Sequence, residues 1–419
     1  MQSLGRKLAI VADDLTGACD TACQFALYGL KPVVTHRPQD RPDDAELLVA
    51  ITESRKDSPS AACQKVREVA TALLRQGHVP FYKKIDSTLK GPWCAELDGM
   101  IKAVRPEIVV VAPAFPVWGR TTLNGIQCVQ GRPISELRQH ALAHETQGGE
   151  PADLVGTLRA QFGGRVVLIR RTALKGGSAR VARAMKSARF RGSPFLVFDA
   201  CEDDDLRVIA LAGCRLDERI LWVGSGGLAR YLPLGWGLRH SSDSAPRLRT
   251  VQNVIVINGS LNPGNTGQLT LLAEKCEFPL LWIEDEDSDN SVQTQQRIDN
   301  LLRAPENRRQ AVISVRLNKP IRSAAHLQKL QTALQSGASR CVEAWNPLGL
   351  VLVGGDTAMK LYQALGTAGI RIEGEVQPGV PCGSWIGGLL DGQPVVTKAG
   401  GFGQEDTLVR AVELLRGAQ

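Results

Sequence analysis

The stretch Leu8-Ala-Ile-Val-Ala-Asp-Asp-Leu-Thr-Gly17 holds the pattern that decides the fold of this chain. Its first five residues are apolar, which is typical of a short buried strand, and two carboxylates, Asp13 and Asp14, follow directly. A helical pattern then extends to about Tyr28. An apolar strand that ends in polar residues at the start of a helix is the repeating unit of a parallel α/β sheet.

The same unit recurs along the 419 residues. Residues 79–84 have an extended pattern. Further strands are predicted at residues 32–35, 47–52, 108–112, 166–169, 195–198 and 220–223, and then at 254–257, 280–283, 311–315, 350–353 and 395–398. Helical stretches separate them. This alternation predicts two α/β domains with mainly parallel sheets flanked by helices.

One segment interrupts the alternation. Residues 239–249 are polar, contain a proline and lack any periodicity, so we predict a linker over residues 239–250. The linker would join a first domain, residues 1–238, to a second domain, residues 251–419.

The composition excludes several classes of protein. Hydrophobic residues make up 43% of the chain and charged residues 22%, which is ordinary for a globular protein. The apolar runs are shorter than the ~20 residues of a membrane helix and too short for a signal peptide. The ten cysteines include no Cys-x-x-Cys and no zinc spacing, so we expect a reduced, cytoplasmic protein. The net charge of +7 is too dispersed for nucleic acid and suits anionic small molecules.

Ligands of open parallel sheets bind at the carboxyl ends of the strands. In the first half of the chain these ends carry charged and hydroxyl side chains: Asp13, Asp14, Arg55, Lys84, Asp86, Ser87 and Arg120. Such a set suits a small polar anion. Each group also has an ordinary structural alternative. Asp13 or Asp14 could cap one helix and Ser87 or Thr88 another, while Arg55 could lie exposed on the surface.

In the second half the strand ends carry glycines, in Gly259-Ser260, Gly354-Gly-Asp-Thr357 and Lys398-Ala-Gly-Gly-Phe-Gly403. Backbone N–H groups at helix N-termini bind phosphates, so three such loops predict a nucleotide site. We expect Thr357 to cap its helix and Lys398 to add a cation. Asp356 could hold Mg²⁺ through water or could bond within its turn.

Two other sequence patterns of nucleotide-binding proteins, the P-loop and the dinucleotide fingerprint, give different results for this chain. The chain contains no Gly-x-x-x-x-Gly-Lys-Ser/Thr, which excludes a P-loop NTPase. The stretch Gly224-Ser-Gly-Gly-Leu-Ala229 follows an apolar strand and matches the loose dinucleotide fingerprint, but no acidic strand end comes about 20 residues later. An NAD-dependent dehydrogenase therefore stays an alternative, and close backbone packing is the ordinary explanation of these glycines.

The chain resembles the four-carbon acid sugar kinases, a family that phosphorylates tetronates. The matching segments follow the order of the family and run nearly end to end: Ala12-Asp-Asp-Leu-Thr-Gly-Ala-Cys-Asp-Thr21, Thr52-Glu-Ser-Arg55, Lys84-Ile-Asp-Ser-Thr-Leu-Lys-Gly91, Pro113-Ala-Phe-Pro-Val-Trp-Gly-Arg-Thr-Thr-Leu-Asn-Gly125, Gly259-Ser260, Gly354-Gly-Asp-Thr357, Pro378-Gly-Val-Pro381 and Lys398-Ala-Gly-Gly-Phe-Gly403. Two departures concern the nucleotide contacts. Leu261 follows Ser260 where relatives often have a small polar residue, and Asp356 is often Glu in relatives.

The resemblance implies that the first domain binds a sugar acid, the second binds ATP, and the reaction occurs in the cleft between them. It favours D-threonate, phosphorylated on its 4-hydroxyl, over 3-oxo-tetronates and erythronate. By position, the sugar acid would contact Asp13, Arg55, Lys84, Ile85, Asp86 and Ser87. ATP would contact Ser260, Gly354, Gly355, Asp356, Thr357 and Gly400.

The mechanism that follows assigns one role to each charged group. Asp13 is the first choice and Asp86 the second for the base that accepts the hydroxyl proton. Arg55, together with Lys84, would clamp the carboxylate of the sugar acid. ATP would bring Mg²⁺, whose protein ligands the sequence leaves open. A homodimer is possible. A non-enzymatic sugar-acid sensor is a further alternative, although it would leave three glycine-rich loops without a purpose.

Overall fold

The computed structural model describes residues 7–38, 45–140, 151–192, 194–241, 246–284, 291–304, 310–317, 324–346 and 348–417. The chain forms two compact units, Met1–Ser244 and Ala245–Gln419. Four residues of the predicted linker, 242–245, lie outside the described ranges. Among the helices that the structure describes, none is both long enough and apolar enough to cross a membrane.

The first unit alternates strands with helices, as the sequence pattern predicts. Its strands are β1 (Lys7–Ala12), β2 (Pro32–Thr35), β3 (Leu47–Ile51), β4 (His78–Lys84), β5 (Ile108–Ala112), β6 (Arg120–Leu123), β7 (Ile126–Val129), β8 (Arg132–Pro133), β9 (Val166–Ile169), β10 (Phe195–Phe198) and β11 (Ile220–Gly224). Its helices are α1 (Leu15–Ala26), α2 (Pro59–Arg75), α3 (Trp93–Val104), α4 (Ile134–His140), α5 (Leu154–Phe162), α6 (Arg171–Leu174), α7 (Gly177–Phe190), α8 (Asp203–Gly213), α9 (Gly226–Ala229) and α10 (Leu232–Gly235).

The main sheet of this unit is parallel throughout, in the order β2-β3-β1-β4-β11-β5-β10-β9. The residues of β3 and β5 are entirely buried, which explains why these strands are uninterrupted apolar runs. The chain leaves β1 toward β2 and β3 and then returns to β4 on the other side of β1. This reversal is a topological switch point, where the carboxyl ends of the strands form a crevice.

The register of the three central strands decides which side chains meet in that crevice. Ala12 pairs with Ile51 in β3 and with Lys84 in β4, so the three strands end at the same level. A small antiparallel sheet, β6-β7-β8, is formed by residues 120–133 of the same unit.

The second unit has its own α/β sheet. Its strands are β12 (Val254–Asn258), β13 (Leu280–Ile283), β14 (Gln310–Val315), β15 (Gly349–Val353), β16 (Gly369–Gln377), β17 (Val380–Ile386) and β18 (Pro394–Lys398). Its helices are α11 (Gly264–Cys276), α12 (Ser291–Arg303), α13 (Ala324–Trp345), α14 (Gly355–Ala364) and α15 (Thr407–Arg416).

The strands of the second unit lie in the order β13-β14-β12-β15-β18-β17-β16. The first five are parallel, and the direction of the chain reverses between β14 and β15, on the two sides of β12. Strands β17 and β16 are antiparallel. The strand predictions above do not include this hairpin, because polar residues alternate with apolar ones along β16 and leave no continuous apolar run.

Candidate active site

Five charged residues meet at the carboxyl ends of β1, β3 and β4, and we call them the Arg55 cluster. They are Asp13, Asp14, Arg55, Lys84 and Asp86. Arg55 donates through Nε to Asp13 Oδ2 at 2.7 Å and through Nη2 to Asp14 Oδ1 at 2.9 Å. Its Nη2 also lies 3.7 Å from Asp86 Oδ1. Arg55 is therefore the shared counterion of three carboxylates and not an exposed surface arginine.

The two neighbouring aspartates have different roles. Asp14 is the N-cap of α1, because its Oδ1 accepts from Gly17 N at 3.1 Å and its Oδ2 from Thr16 Oγ1 at 2.9 Å. Asp13 is not the cap and is only 2% exposed. Its Oδ1 accepts no hydrogen bond from the residues that the structure describes, and Lys84 Nζ lies 3.9 Å away. A buried carboxylate oxygen without a donor is suited to a ligand hydroxyl.

Both candidate bases are ionised at neutral pH. Burial raises the pKa of Asp13, but Arg55, Lys84 and Lys83 together outweigh burial and hold this pKa below its usual value. Burial and Arg55 oppose each other in the same way at Asp86, whose pKa is also lowered. The pKa of Arg55 is raised, since the three carboxylates outweigh the cost of its burial.

The segment from Lys84 to Ser87 forms one wall of the cluster. The side chain of Ile85 is fully buried and its N–H donates to Gly224 O at 2.9 Å, so this side chain faces the core. Asp86 Oδ2 accepts from Thr88 N at 2.9 Å, which closes a tight turn. The structural alternative, a helix cap at Ser87 or Thr88, does not hold, because α3 begins only at Trp93.

A second, fully buried network supports the cluster. Lys83 Nζ lies 2.9 Å from Glu96 Oε2 and donates to Lys84 O at 2.8 Å. Ser54 donates to Glu96. Thr52 Oγ1 lies 2.7 Å from Ser54 Oγ and 3.0 Å from Ala12 O, and it donates its single proton to one of these two acceptors. The network thus ties the ends of β1, β3 and β4 together through the start of α3. Sequence reasoning missed it, because nothing in the local sequence of α3 distinguishes the buried Glu96 from Asp98, which pairs with Lys102.

The glycines after β11 serve packing. A Cβ atom on Gly226 would overlap Asp20, one on Gly227 would approach Ala114 O, and one on Gly224 would lie 2.7 Å from Ala112 O. The helix that follows, α9, has four buried residues. The space that a pyrophosphate would need is filled by this unit itself, which argues against the dinucleotide alternative.

Three strand ends also converge in the second unit. Asn258 pairs with Val353, and Val353 pairs with Lys398, so the loops after β12, β15 and β18 start at the same level. A Cβ atom on Gly400 would overlap Ser260 Oγ, and one on Gly354 would lie 3.2 Å from Ser260 N. Glycine is required at both positions, and both place bare backbone around Ser260.

Helix α14 begins at a glycine. Its N-cap is Gly354, with φ at +100° and no side-chain cap. Helix N-termini bind phosphate in many proteins, because the first N–H groups of a helix have no partner within the helix. Asp356 is exposed in this turn, whereas Thr357 is buried and its Oγ1 lies against Gly259. The prediction that Thr357 caps the helix is wrong, because Thr357 lies inside it.

Lys398 has an internal role in this unit. Its Nζ donates to Phe402 O at 2.7 Å and to Asn265 Oδ1 at 2.8 Å, and the residue is fully buried. Burial lowers the pKa of Lys398 to about 8. The side chain holds the glycine-rich loop against α11. Its hydrogen bonds are made within this unit, so Lys398 does not add the cation that the sequence predicts for a bound phosphate.

Comparisons with known proteins match the two halves of the chain to two domain families with different ligands. Residues 8–232 match a domain family described as a sugar-binding N-terminal domain, and residues 255–408 match one described as a nucleotide-binding C-terminal domain. D-threonate kinase of Bordetella bronchiseptica is 34% identical over 98% of both chains. D-threonate kinase of Salmonella typhimurium is 30% identical over 97% of both chains. The 3-oxo-tetronate kinase of Actinobacillus succinogenes is 26% identical over 95% of this chain and 97% of its own.

Solved structures share the fold. A Salmonella typhimurium protein described as a tRNA synthase has a TM-score of 0.80 at 21% identity, covering 96% of this chain and 98% of its own. A Haemophilus influenzae protein has a TM-score of 0.72 at 22% identity, covering 97% of this chain and 100% of its own. These two likenesses concern the fold alone.

The two domain matches and the kinases among the relatives together define a class of protein, the small-molecule kinases built from a sugar-binding domain and a nucleotide-binding domain. Within that class, the chain belongs to the four-carbon acid sugar kinase family. Family membership confirms the resemblance drawn from the sequence. The roles of the individual site residues stay predictions.

Proposed function

We propose that this chain transfers the γ-phosphoryl group of ATP to the 4-hydroxyl of a four-carbon sugar acid, with D-threonate as the first candidate. The observation that carries the proposal is Asp13 Oδ1, a buried, ionised carboxylate oxygen without a donor among the described residues. It lies within a unit that matches a sugar-binding domain. The relatives named D-threonate kinase support the substrate.

In the proposed reaction, O4 of the sugar acid attacks the γ-phosphorus of ATP. The bond from the γ-phosphorus to the bridging oxygen breaks, and ADP leaves. Asp13 orients the hydroxyl and accepts its proton, while Asp86 is the second choice for this role. A carboxylate of lowered pKa is a weak base, so the main contribution of Asp13 is orientation, as in other phosphoryl transfers.

ATP is proposed to bind in the second unit. The bare backbone at Gly354 and Gly400, the N-terminus of α14 and the hydroxyl of Ser260 offer neutral donors to phosphate oxygens. Transfer requires the 4-hydroxyl and the γ-phosphorus to meet, so the cleft predicted from the sequence is part of the proposal.

Mg²⁺ is proposed to accompany ATP, and its chemistry would be to neutralise charge on the phosphates. The described ranges contain no group of three or more side chains of the types that hold a metal. Mg²⁺ is usually held by one or two carboxylates together with phosphates and water. Asp356, exposed in the first turn of α14, is the carboxylate that fits.

A coupled assay of ADP release tests the function directly. D-Threonate, L-threonate, D-erythronate and the 3-oxo acids are compared with ATP and Mg²⁺ present, and we expect D-threonate to have the highest kcat/KM. ADP release that no acid stimulates would overturn the proposal. A titration with NADH tests the dehydrogenase alternative, and the proposal predicts no binding. Stabilisation of the protein by ATP and Mg²⁺ would count against a sensor that binds only sugar acids.

Two further expectations belong to the proposal. We infer a cytoplasmic location from the reduced state of the cysteines, all of which are free. A homodimer stays a prediction, which the molar mass from light scattering tests.

A further inference from the structure

The Arg55 cluster is short of positive charge for a ligand that is itself an anion. Nε and Nη2 of Arg55 are already directed at Asp13, Asp14 and Asp86. Within the cluster, the three carboxylates face two cations, Arg55 and Lys84. Lys83 also acts on Asp13 but is paired with Glu96, and Lys90, which acts on Asp86, is exposed. A sugar acid would add a fourth carboxylate, and like charges at this distance repel unless another cation is present.

Arg120 is such a cation, and the small antiparallel sheet brings it to the cluster. Arg120 begins β6, and Thr122 follows two residues later on the same face of the strand. Thr122 Oγ1 donates to Gln127 Oε1 at 2.6 Å, and Gln127 Nε2 donates to Ser87 O at 2.7 Å. This face of the sheet therefore contacts the residue that follows Asp86.

The guanidinium of Arg120 has a hydrogen-bond donor that no described residue accepts. Nη1 donates to Trp118 O. Nε is buried, and it donates no hydrogen bond to any part of the chain that the structure describes. A buried N–H of a charged group is costly without an acceptor, so a ligand that supplies one gains binding energy there. Burial lowers the pKa of Arg120 and Asp86 raises it, which places Asp86 within electrostatic reach.

We propose that Arg120 recognises the carboxylate of the sugar acid, while Arg55 positions the aspartates that bind its hydroxyls. The inference rests on the proposed function and assigns a specificity-determining residue to that site. A guanidinium can bind both oxygens of a carboxylate at once. Arg120 would thus distinguish a four-carbon acid from a neutral four-carbon polyol.

The test compares Arg120→Met with Arg132→Met, which removes an exposed arginine from β8 of the same small sheet. Affinity for D-threonate is measured by calorimetry without nucleotide. Phosphorylation of D-threonate and of threitol, which lacks the carboxylate, is measured by ADP release. We expect Arg120→Met to weaken D-threonate binding about 10- to 100-fold, as for a lost charge-assisted hydrogen bond. The rate with threitol and the KM for ATP should stay within twofold.

Several results would overturn the inference. Equal losses with the acid and the polyol would make Arg120 a structural residue, and a rise confined to the KM for ATP would assign it to the nucleotide. If Arg55→Met lowered the activity with D-threonate relative to that with threitol and Arg120→Met did not, Arg55 would be the residue that binds the carboxylate. Failure of the proposed function is distinguishable, because wild-type protein would then release no ADP with any acid. Calorimetry would still report whether acid binding depends on Arg120.

Discussion

Arg55 Nε donates to Asp13 Oδ2 across 2.7 Å, and the two residues are separated by 42 positions in the sequence. The pair joins the end of β3 to the end of β1. It keeps Asp13 ionised although the side chain is buried, and it leaves Oδ1 of the same carboxylate without a donor among the described residues. An oriented, charged acceptor is what a hydroxyl nucleophile requires.

Replacing Asp13 tests its role in the reaction. Asp13→Asn keeps the shape of the side chain but removes its charge, which weakens both the orientation of the hydroxyl and the acceptance of its proton, so we expect kcat to fall about 100-fold or more. The Kd for ATP should stay within twofold, because the proposed nucleotide residues belong to the other unit. Asp204→Asn, which breaks a surface pair with Arg207, is the control. Near-normal turnover would exclude Asp13 and leave Asp86 as the candidate base.

Replacing Gly400 tests the nucleotide site. The Cβ and branches of Gly400→Val would overlap Ser260, so the loop would move and close on the phosphates. We expect the KM for ATP to rise at least tenfold while the Kd for the sugar acid is unchanged. Gly267→Ala is the matched control, because a Cβ atom there meets nothing within 4 Å. If only sugar-acid binding changed, the two ligands would be assigned to the wrong units.

Replacing Glu96 tests the network beneath the cluster. Glu96→Gln leaves the buried ammonium of Lys83 without its counterion, so we expect the free energy of unfolding to fall by about 3–5 kcal/mol. Adding Lys83→Met removes the unpaired cation and should restore part of the loss. Asp98→Asn breaks the exposed pair with Lys102 on the same helix and should cost less than about 1 kcal/mol. Equal losses from Glu96→Gln and Asp98→Asn, measured by urea denaturation, would contradict this account.

The buried ammonium of Lys398 predicts a dependence of stability on pH. Its pKa is lowered by burial to about 8, against 10.5 in the unfolded chain. Between these values the unfolded chain binds more protons, so the contribution of Lys398 to stability rises with pH and is lost as pH falls through about 8. The gap, defined as the unfolding free energy of wild type minus that of Lys398→Met, should therefore increase from pH 8 to pH 10.5. A gap that stays constant or narrows over this interval would show that the lysine is not desolvated.

The sequence alone determined the α/β class and the position of the charged residues along the chain. Buried parallel strands require uninterrupted apolar runs, and these runs are visible without a structure. Residues that follow such strands must meet at one edge of a sheet. For this reason the sequence predicts Asp13, Arg55, Lys84 and Asp86 as site residues, and its motifs also identify the family.

Only the tertiary structure decided which partner each group has. It assigned the helix cap to Asp14 and left Asp13 without one, and it placed Glu96 under the cluster beside Lys83. It also turned Lys398 inward and packed Gly226 against Asp20. Apart from the cap at Asp14, these partners come from segments that are distant in sequence, and burial makes each of these pairings costly to break. No local pattern of residues records which distant segment packs against it.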